Sequence, residues 1–258
     1  MRKNLPKHIV ITGASSGIGA ALAREYAARG IVLGLLGRNE ARLQVVQAAC
    51  EAEGAQVVLG VMDVTDERAM RQWLETFDAK YPVDLLVANA GISLGSSRTG
   101  DAVLEEEEAA RQLFKVNVDG MLNSVLPLVP FMVQRGHGQI ALMASLAAMR
   151  GLPSAPAYST SKAAVKHYGE ALRGKLGKHG VRVSVICPGY VKTPLTEVNR
   201  FPMPFLMEAD KAARIIRKGL VRNKPRIAFP WMLYVPLWLL SCLSPRLTDR
   251  FFAALPEK

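Results

Sequence analysis

Tyr158 and Lys162 stand four residues apart in a segment, 156–178, that reads as a helix, so both side chains project from one face. A free phenol titrates near ~10, too high to exchange protons readily at neutral pH. A neighbouring ammonium favours the phenolate, so the pair predicts a Tyr158 pKa drawn downward and a side chain able to act as general acid and base. The Y-x-x-x-K spacing also recurs by chance on ordinary helix surfaces, so its surroundings must decide its meaning. Ser145 lies thirteen positions before Tyr158 and just after an apolar run, Gly138–Met143, that reads as a buried strand. A hydroxyl at that sheet edge, where open α/β folds take their ligands, suits an oxygen on which charge develops.

A second group of residues sits near the start. The strand His8–Thr12 runs into Thr12-Gly13-Ala14-Ser15-Ser16-Gly17-Ile18-Gly19 and then a helical stretch near 18–29. Glycines in such a turn let backbone approach a diphosphate, while the helix start offers free N–H groups and partial positive charge. The order is G-x-x-x-G-x-G rather than the commoner G-x-G-x-x-G. With no G-x-x-x-x-G-K-[ST] anywhere, a nucleoside-triphosphate loop is disfavoured. Gly13–Gly17 also satisfies the G-x-S-x-G nucleophile elbow, but that elbow needs an oxyanion loop from an earlier strand, and only one strand precedes Ser15. Taken alone, the turn is equally a glycine-rich connection with no ligand. At the end of the second strand, Leu36-Gly37-Arg38-Asn39 presents Arg38 where dinucleotide folds place an acid against the ribose. A guanidinium pairs with a 2′-phosphate and offers no acceptor to a 2′-hydroxyl, which favours NADP(H) over NAD(H).

The elements that must position these groups alternate along the chain. Apolar runs at His8–Thr12, 31–36, Gln56–Val61, 84–89, Gly138–Met143 and 181–187 read as strands. Helical stretches lie near 18–29, 40–53, 66–80, 101–134 and 156–178. Continuous apolar strands separated by helices predict an α/β doubly wound fold, a central parallel sheet flanked by helices on both faces. One domain over 1–258 is expected, with a lid and basic helix at 190–226 and an apolar C-terminal extension at 227–258. The acidic run 105–108 belongs on the solvated face of the fourth helix, near its N-terminus, where the dipole favours acids.

Composition narrows the classes further. The 258 residues are half hydrophobic, with glycine and proline spread out, which excludes disorder, collagen and a disulfide-stapled scaffold. The net charge is +11, and from Lys211 onward ten Lys or Arg face two acids, so +8 of it lies in the last 48 residues. Cys50, Cys187 and Cys242 are odd in number and widely spaced, which suits reduced thiols in a cytoplasmic protein. The apolar run at the N-terminus is too short for a secretory leader. His8, His137, His167 and His179 lack metal-ligand spacing, so no metal is expected, and the ten Met residues read as core filler.

Taken in order, the motifs resemble those of the short-chain dehydrogenase/reductase family, in its single-domain NADP-preferring form with a Rossmann fold. The resemblance covers about residues 7–195 and rests on the Thr12–Gly19 turn, Asp63-Val64, Asn89-Ala90-Gly91, Asn117, Ser145, Tyr158-x-x-x-Lys162 and Pro188-Gly189-Tyr190-Val191-x-Thr193. It implies that Gly13, Ser15, Ser16, Gly17, Ile18 and Gly19 cradle the diphosphate, with Arg38 at the 2′-phosphate. Asp63 and Val64 would hold the adenine, and Asn89, Ala90 and Gly91 the middle of the cofactor. Pro188, Gly189, Val191 and Thr193 would fix the carboxamide, and Lys162 would also bond the nicotinamide ribose. Ser145 would hold the substrate oxygen, Tyr158 exchange its proton, and Asn117 anchor a water linking Lys162 to solvent. The implied activity is hydride transfer between nicotinamide and a carbonyl or alcohol, in a homo-oligomer, dimer or tetramer. A catalytically silent NADP(H)-binding scaffold is the alternative, against which the intact Asn117, Ser145, Tyr158 and Lys162 stand.

Beyond Thr193 the resemblance thins. The stretch 201–207 lies where the family carries its substrate lid; its apolar side chains fit an apolar substrate or simple packing. A helix at 208–221 bears Lys211, Arg214, Arg217 and Lys218. It leads to seventeen uncharged residues, 227–243, that include Trp231, Tyr234 and Trp238. That run is short for a bilayer crossing of roughly 20 residues, and Pro230 and Pro236 interrupt it. Three readings remain: a cover for the substrate pocket, a subunit contact, or a peripheral membrane contact flanked by Arg. Nucleic acid is not an expected partner, since the basic residues adjoin a greasy segment rather than stacking platforms.

Overall fold

Every residue of His8–Thr12 except the first is buried, as a strand covered on both faces requires. Val10 faces one apolar layer, and Ile9 and Ile11 face another on the opposite side of the sheet. The computed structural model describes residues 5–93, 107–197 and 201–253. Its strands are β1 (His8–Thr12), β2 (Val32–Gly37), β3 (Gln56–Val61), β4 (Leu85–Ala88), β5 (Gly138–Met143), β6 (Val181–Pro188) and β7 (Arg226–Phe229). They form one parallel sheet in the order β3-β2-β1-β4-β5-β6-β7.

The helices are α1 (Gly17–Tyr26), α2 (Glu40–Ala52), α3 (Glu67–Lys80), α4 (Glu107–Phe114), α5 (Gly120–Val125), α6 (Val129–Arg135), α7 (Pro156–Gly177), α8 (Pro194–Glu197), α9 (Ala209–Val221), α10 (Trp231–Ser241) and α11 (Pro245–Ala253). Side chains of α1, α2 and α9 fill the layer beneath Ile9 and Ile11, while α3, α5, α6 and α7 fill the other. The doubly wound parallel architecture expected from the alternation of runs is the one observed, with strand and helix ends shifted by up to three residues.

Two segments differ more. The single helix expected over 101–134 is broken. Residues 101–106 lie outside those described; then α4 passes through a π-helical turn, Lys115–Asp119, into α5, and α6 restarts with a proline in its first turn. Proline lacks the N–H that a continuing helix needs, and a π-turn inserts one extra residue, which here carries Asn117 inward to 1% exposure. Glu107 and Glu108 lie exposed in the first turn of α4, as expected for part of the acidic run.

The second difference is in 227–243, which is neither one element nor an extension outside the sheet. Arg226–Phe229 pairs with β6 as the edge strand, burying Ile227 and Phe229 alternately, and Pro230 caps α10. Sheet pairing and helix share one unbroken apolar stretch, so composition alone conceals the boundary between them.

Candidate active site

Strand order reverses at β1, whose neighbours are β2 and β4, and the chain leaves their carboxyl ends in opposite directions. A cleft of about 510 Å³ opens there. Its floor is the turn after β1. Gly13 has φ +66°, and a Cβ on it would stand 2.8 Å from Ala90 Cα; on Gly19 it would stand 2.2 Å from Gly13 O. Only hydrogen fits at either position, which keeps the turn flat against the loop after β4. Asn89 Nδ2 donates to Thr12 O and Gly13 O at 2.9 and 3.1 Å, while Thr12 Oγ1 accepts from Asn89 N and Ala90 N at 3.1 Å. Ser16, the N-cap of α1, makes no side-chain cap bond, and no acid lies in the first turn. The first N–H groups of α1 therefore face the cleft with the positive end of the helix dipole behind them, chemistry that fits a diphosphate.

At the end of β2, Gly37 and Arg38 reach the cleft, and Asn39 caps α2 by accepting from Arg42 N at 2.9 Å. Arg42 lines the same cleft as Arg38. Arg38 Nη1 lies 3.5 Å from Asp63 Oδ2, and Asp63 Oδ1 accepts from Thr65 N at 2.9 Å. Partial burial raises the Asp63 carboxyl, but the Thr65 hydrogen bonds and the Arg38 charge outweigh it and hold the group below the usual carboxylate range.

The other end of the cleft carries Ser145, Tyr158 and Lys162. Ser145 caps a 3₁₀ turn, Leu146–Ala148, by accepting from Ala147 N at 3.1 Å, and its side chain is also hydrogen-bonded to Tyr158. Lys162 Nζ stands 5.9 Å from the Tyr158 ring centre and donates to Met143 O at 3.1 Å. Burial pushes the Lys162 ammonium down to about 8. The sequence-based expectation that Lys162 draws the Tyr158 pKa downward is not met in this arrangement. Burial raises the phenol, the Ser145 hydrogen bond opposes it, and nearby Tyr190 adds to the rise.

Asn117 lies behind this group rather than in it. Its Nδ2 donates to Ile92 O and Ser161 Oγ, both at 3.0 Å, and its Oδ1 accepts from Ile92 N at 2.8 Å. The side chain thus pins the loop that carries Asn89, Ala90 and Gly91. Its Oδ1 and Lys162 Nζ each stand 3.0 Å from where a Cβ on Gly91 would lie, so the two polar atoms flank the same point.

One turn beyond Lys162 on α7, the buried Lys166 pairs with Glu170 at 3.4 Å. Glu170 also accepts from Arg226 of β7, whose Nη1 donates to Tyr234 of α10 at 3.1 Å. The start of α10 packs against the Pro188–Thr193 side of the cleft: a Cβ on Gly189 would meet Pro230 Cδ, Leu233 Cδ1 and Leu146 Cδ1 at 3.0–3.4 Å.

Gly13, Ser15, Ser16, Gly17, Ile18, Arg38, Asp63, Val64, Asn89, Ala90 and Gly91 line one cleft together with Ser145, Tyr158 and Lys162. Pro188, Gly189, Val191 and Thr193 line it as well. Gly19 and Asn117 lie just beneath its surface. Thr196 Oγ1, which donates to Val191 O at 2.7 Å and accepts from Thr193 N at 3.0 Å, holds the Pro188–Thr193 side in shape. Sequence reasoning missed Arg42 among the lining residues, along with the mostly apolar Met62, Ile92, Val116, Met143, Ala144, Pro194, Leu195 and Thr196. Arg42 alone carried a usable signal, three residues after the Asn39 cap. Among the described residues no group of His, Cys, Asp or Glu could hold a metal ion.

A family model described as short chain dehydrogenase matches residues 7–202. An uncharacterized oxidoreductase of Myxococcus xanthus is 39% identical over 241 residues, 93% of this chain and 94% of that protein. A galactitol 2-dehydrogenase (L-tagatose-forming) of Cereibacter sphaeroides is 38% identical over 72% of each chain, and a fatty acyl-CoA reductase of Acinetobacter baylyi 32% over 86% and 75%. Among solved structures, a short-chain dehydrogenase from Mycobacterium paratuberculosis bound to NAD superposes with TM-score 0.75 at 26% identity, covering 86% of this chain and 94% of that one. One from Sphingobium yanoikuyae in complex with NADPH reaches TM-score 0.78 at 24% identity over 98% and 97%, a likeness of fold. With the family model spanning both the turn after β1 and the Tyr158–Lys162 helix, the chain belongs to the short-chain dehydrogenases, oxidoreductases that work between CH–OH and C=O groups with a nicotinamide nucleotide.

Proposed function

We propose that the chain reduces an apolar carbonyl with NADPH, or runs the reverse oxidation, in the cytoplasm and as a homo-oligomer. The observation that carries the reading is the hydrogen-bonded Ser145–Tyr158 pair in the same cleft as the uncapped start of α1. Bound there, the nicotinamide nucleotide supplies or accepts the hydride. Ser145 holds the substrate oxygen, and the Tyr158 hydroxyl donates the proton that this oxygen needs as it gains charge. The burial that keeps Tyr158 protonated suits it to that donor role. Lys162 stabilises the resulting phenolate, bonds the nicotinamide ribose, and passes a proton inward with Asn117 beside it.

Arg38 and Arg42 would grip the 2′-phosphate, with Asp63 and Val64 against the adenine. Asn89, Ala90 and Gly91 would meet the middle of the nucleotide, and Pro188, Gly189, Val191 and Thr193 the carboxamide. An apolar substrate is supported by Ile92, Met143, Ala144 and Leu195 on the cleft walls. The fatty acyl-CoA reductase among the relatives points the same way and the galactitol dehydrogenase the other; the apolar walls favour the former.

The test is nucleotide consumption with NADPH and NADH across aldehydes, aliphatic and cyclic ketones, and lipid-derived carbonyls. Expected are a preference for NADPH of about ten-fold or more and turnover that rises with apolar size. Tyr158→Phe should cut turnover by at least about 10²-fold while NADPH still binds. Substantial activity in that variant sinks the mechanism, and sedimentation velocity reads the assembly.

A further inference from the structure

The helix α10 is apolar on two sides. Leu233, Tyr234 and Leu237 pack against the core, yet no residue of the helix is fully buried. Trp231, Met232, Val235, Trp238 and Leu239 stand outward at helical spacing, with Trp231 70%, Trp238 45% and Leu239 54% exposed. Leu243 and Leu247 continue the exposed apolar surface past the end of the helix. Soluble chains rarely leave such a stripe to water.

We propose that this outer face docks on an anionic lipid surface, with α10 lying in the plane of the headgroups. Three features select a lipid over a protein partner. First, the stripe has little to bond with. The Tyr234 hydroxyl is engaged by Arg226, and Ser241 and Cys242 donate to Trp238 O, leaving chiefly the indole N–H groups. A protein interface carries about one hydrogen bond per 100–200 Å², whereas the acyl boundary asks for none and places tryptophan at headgroup level. Second, α10 has eleven residues, too short to cross a bilayer, and with its inner side packed on the core only the outer face is free to meet lipid. Third, residues 227–245 carry no charge, the exposed Arg246 follows them directly, and the chain as a whole is +11, complementary to anionic headgroups.

The geometry also gives the docked face an orientation. The inner side of α10 packs against Gly189 on the Pro188–Thr193 side of the cleft, so docking of the outer face sets that side of the cleft toward the lipid. Docking itself does not depend on the proposed reaction.

The test is co-sedimentation of the full chain with vesicles of phosphatidylcholine containing about one-third phosphatidylglycerol, at low and high salt, with no turnover required. The chain should pellet with these vesicles, less so at high salt and less with pure phosphatidylcholine. The double variant W231Q/W238Q should partition about ten-fold more weakly or worse while binding NADPH as before. A chain that stays in the supernatant at low salt overturns the proposal, as does equal partition of the variant. Dimers that the two substitutions dissolve in the absence of lipid, with no vesicle binding, would assign the face to a second copy instead.

Discussion

Replacing Lys162 by methionine should make the nucleotide-free protein more stable while destroying its activity. The folded chain holds this amine at about 8 against an ordinary 10.5, because burial disfavours the charged form. At pH 7 that depression costs roughly 3 kcal/mol of folding stability, by about 1.36 kcal/mol per unit. Methionine removes the charge at similar length, though Met143 O loses the donor it has at 3.1 Å, a loss of about 1 kcal/mol. The net expectation is a gain of about 2 kcal/mol at pH 7. A lowered lysine pKa means that the unfolded chain binds more protons between about 8 and 10.5, so wild-type stability rises with pH through that window. The penalty is full below about 8 and absent above 10.5, and near pH 9 it has fallen to roughly 2 kcal/mol. Urea unfolding of both proteins at pH 7 and pH 9 reads the gap, which should shrink by about 1 kcal/mol at the higher pH with unchanged slopes. A variant less stable than wild type by more than about 1 kcal/mol, or a gap indifferent to pH, refutes the assignment of strain to this ammonium.

Three further outcomes are expected. Arg38→Ala and Arg42→Ala should each weaken NADPH binding by about ten-fold and leave NADH unaffected, as measured by calorimetric titration; equal losses for both nucleotides would remove these residues from the 2′-phosphate. Gly19→Ala should cost about 1–3 kcal/mol in urea unfolding, because its Cβ would lie 2.2 Å from Gly13 O, a backbone atom that cannot swing aside. Arg135→Leu should lower stability by about 3 kcal/mol, since Asp78, 5% exposed, loses a two-bond guanidinium partner at 2.6 and 2.9 Å; a change under about 1 kcal/mol would mean that water replaces it.

What was legible in the chain were the features with a short period or a rigid backbone demand. Strands such as Ile9–Ile11 and Leu85–Val87 declare themselves because both faces must be apolar, and Gly13 and Gly19 because nothing larger fits between the turn and the loop after β4. Ser145 and Tyr158 were picked out together by the order of the motifs, and the hydrogen bond between them came from the structure. Three things were not legible. The π-turn at Lys115–Asp119 costs no composition change, so Asn117 was picked out by its motif alone, and neither the break in the helix nor the bonding of its amide to Ile92 and Ser161 could be read from the chain. β7 was hidden within a continuous apolar run, because only pairing with β6 distinguishes Ile227 and Phe229 from the helix that follows. The direction of the Tyr158 pKa was misjudged because spacing reports a neighbouring charge and says nothing of burial, which dominates here.

The chain from Lys166 through Glu170 and Arg226 to Tyr234 bears on protein engineering. Swapping the C-terminal helix between relatives is an obvious route to new substrates, and such grafts assume that the helix is an exchangeable module. Here its tyrosine is hydrogen-bonded to an arginine from the edge strand, and that arginine is neutralised by an acid on the rod that also carries Tyr158 and Lys162. A donor helix lacking a hydroxyl at position 234, or a recipient lacking Glu170, would leave a partly buried cation short of partners at the back of α7. Chimeras of this scaffold should therefore transplant 170, 226 and 234 together, and the junction belongs before β7 rather than at Pro230.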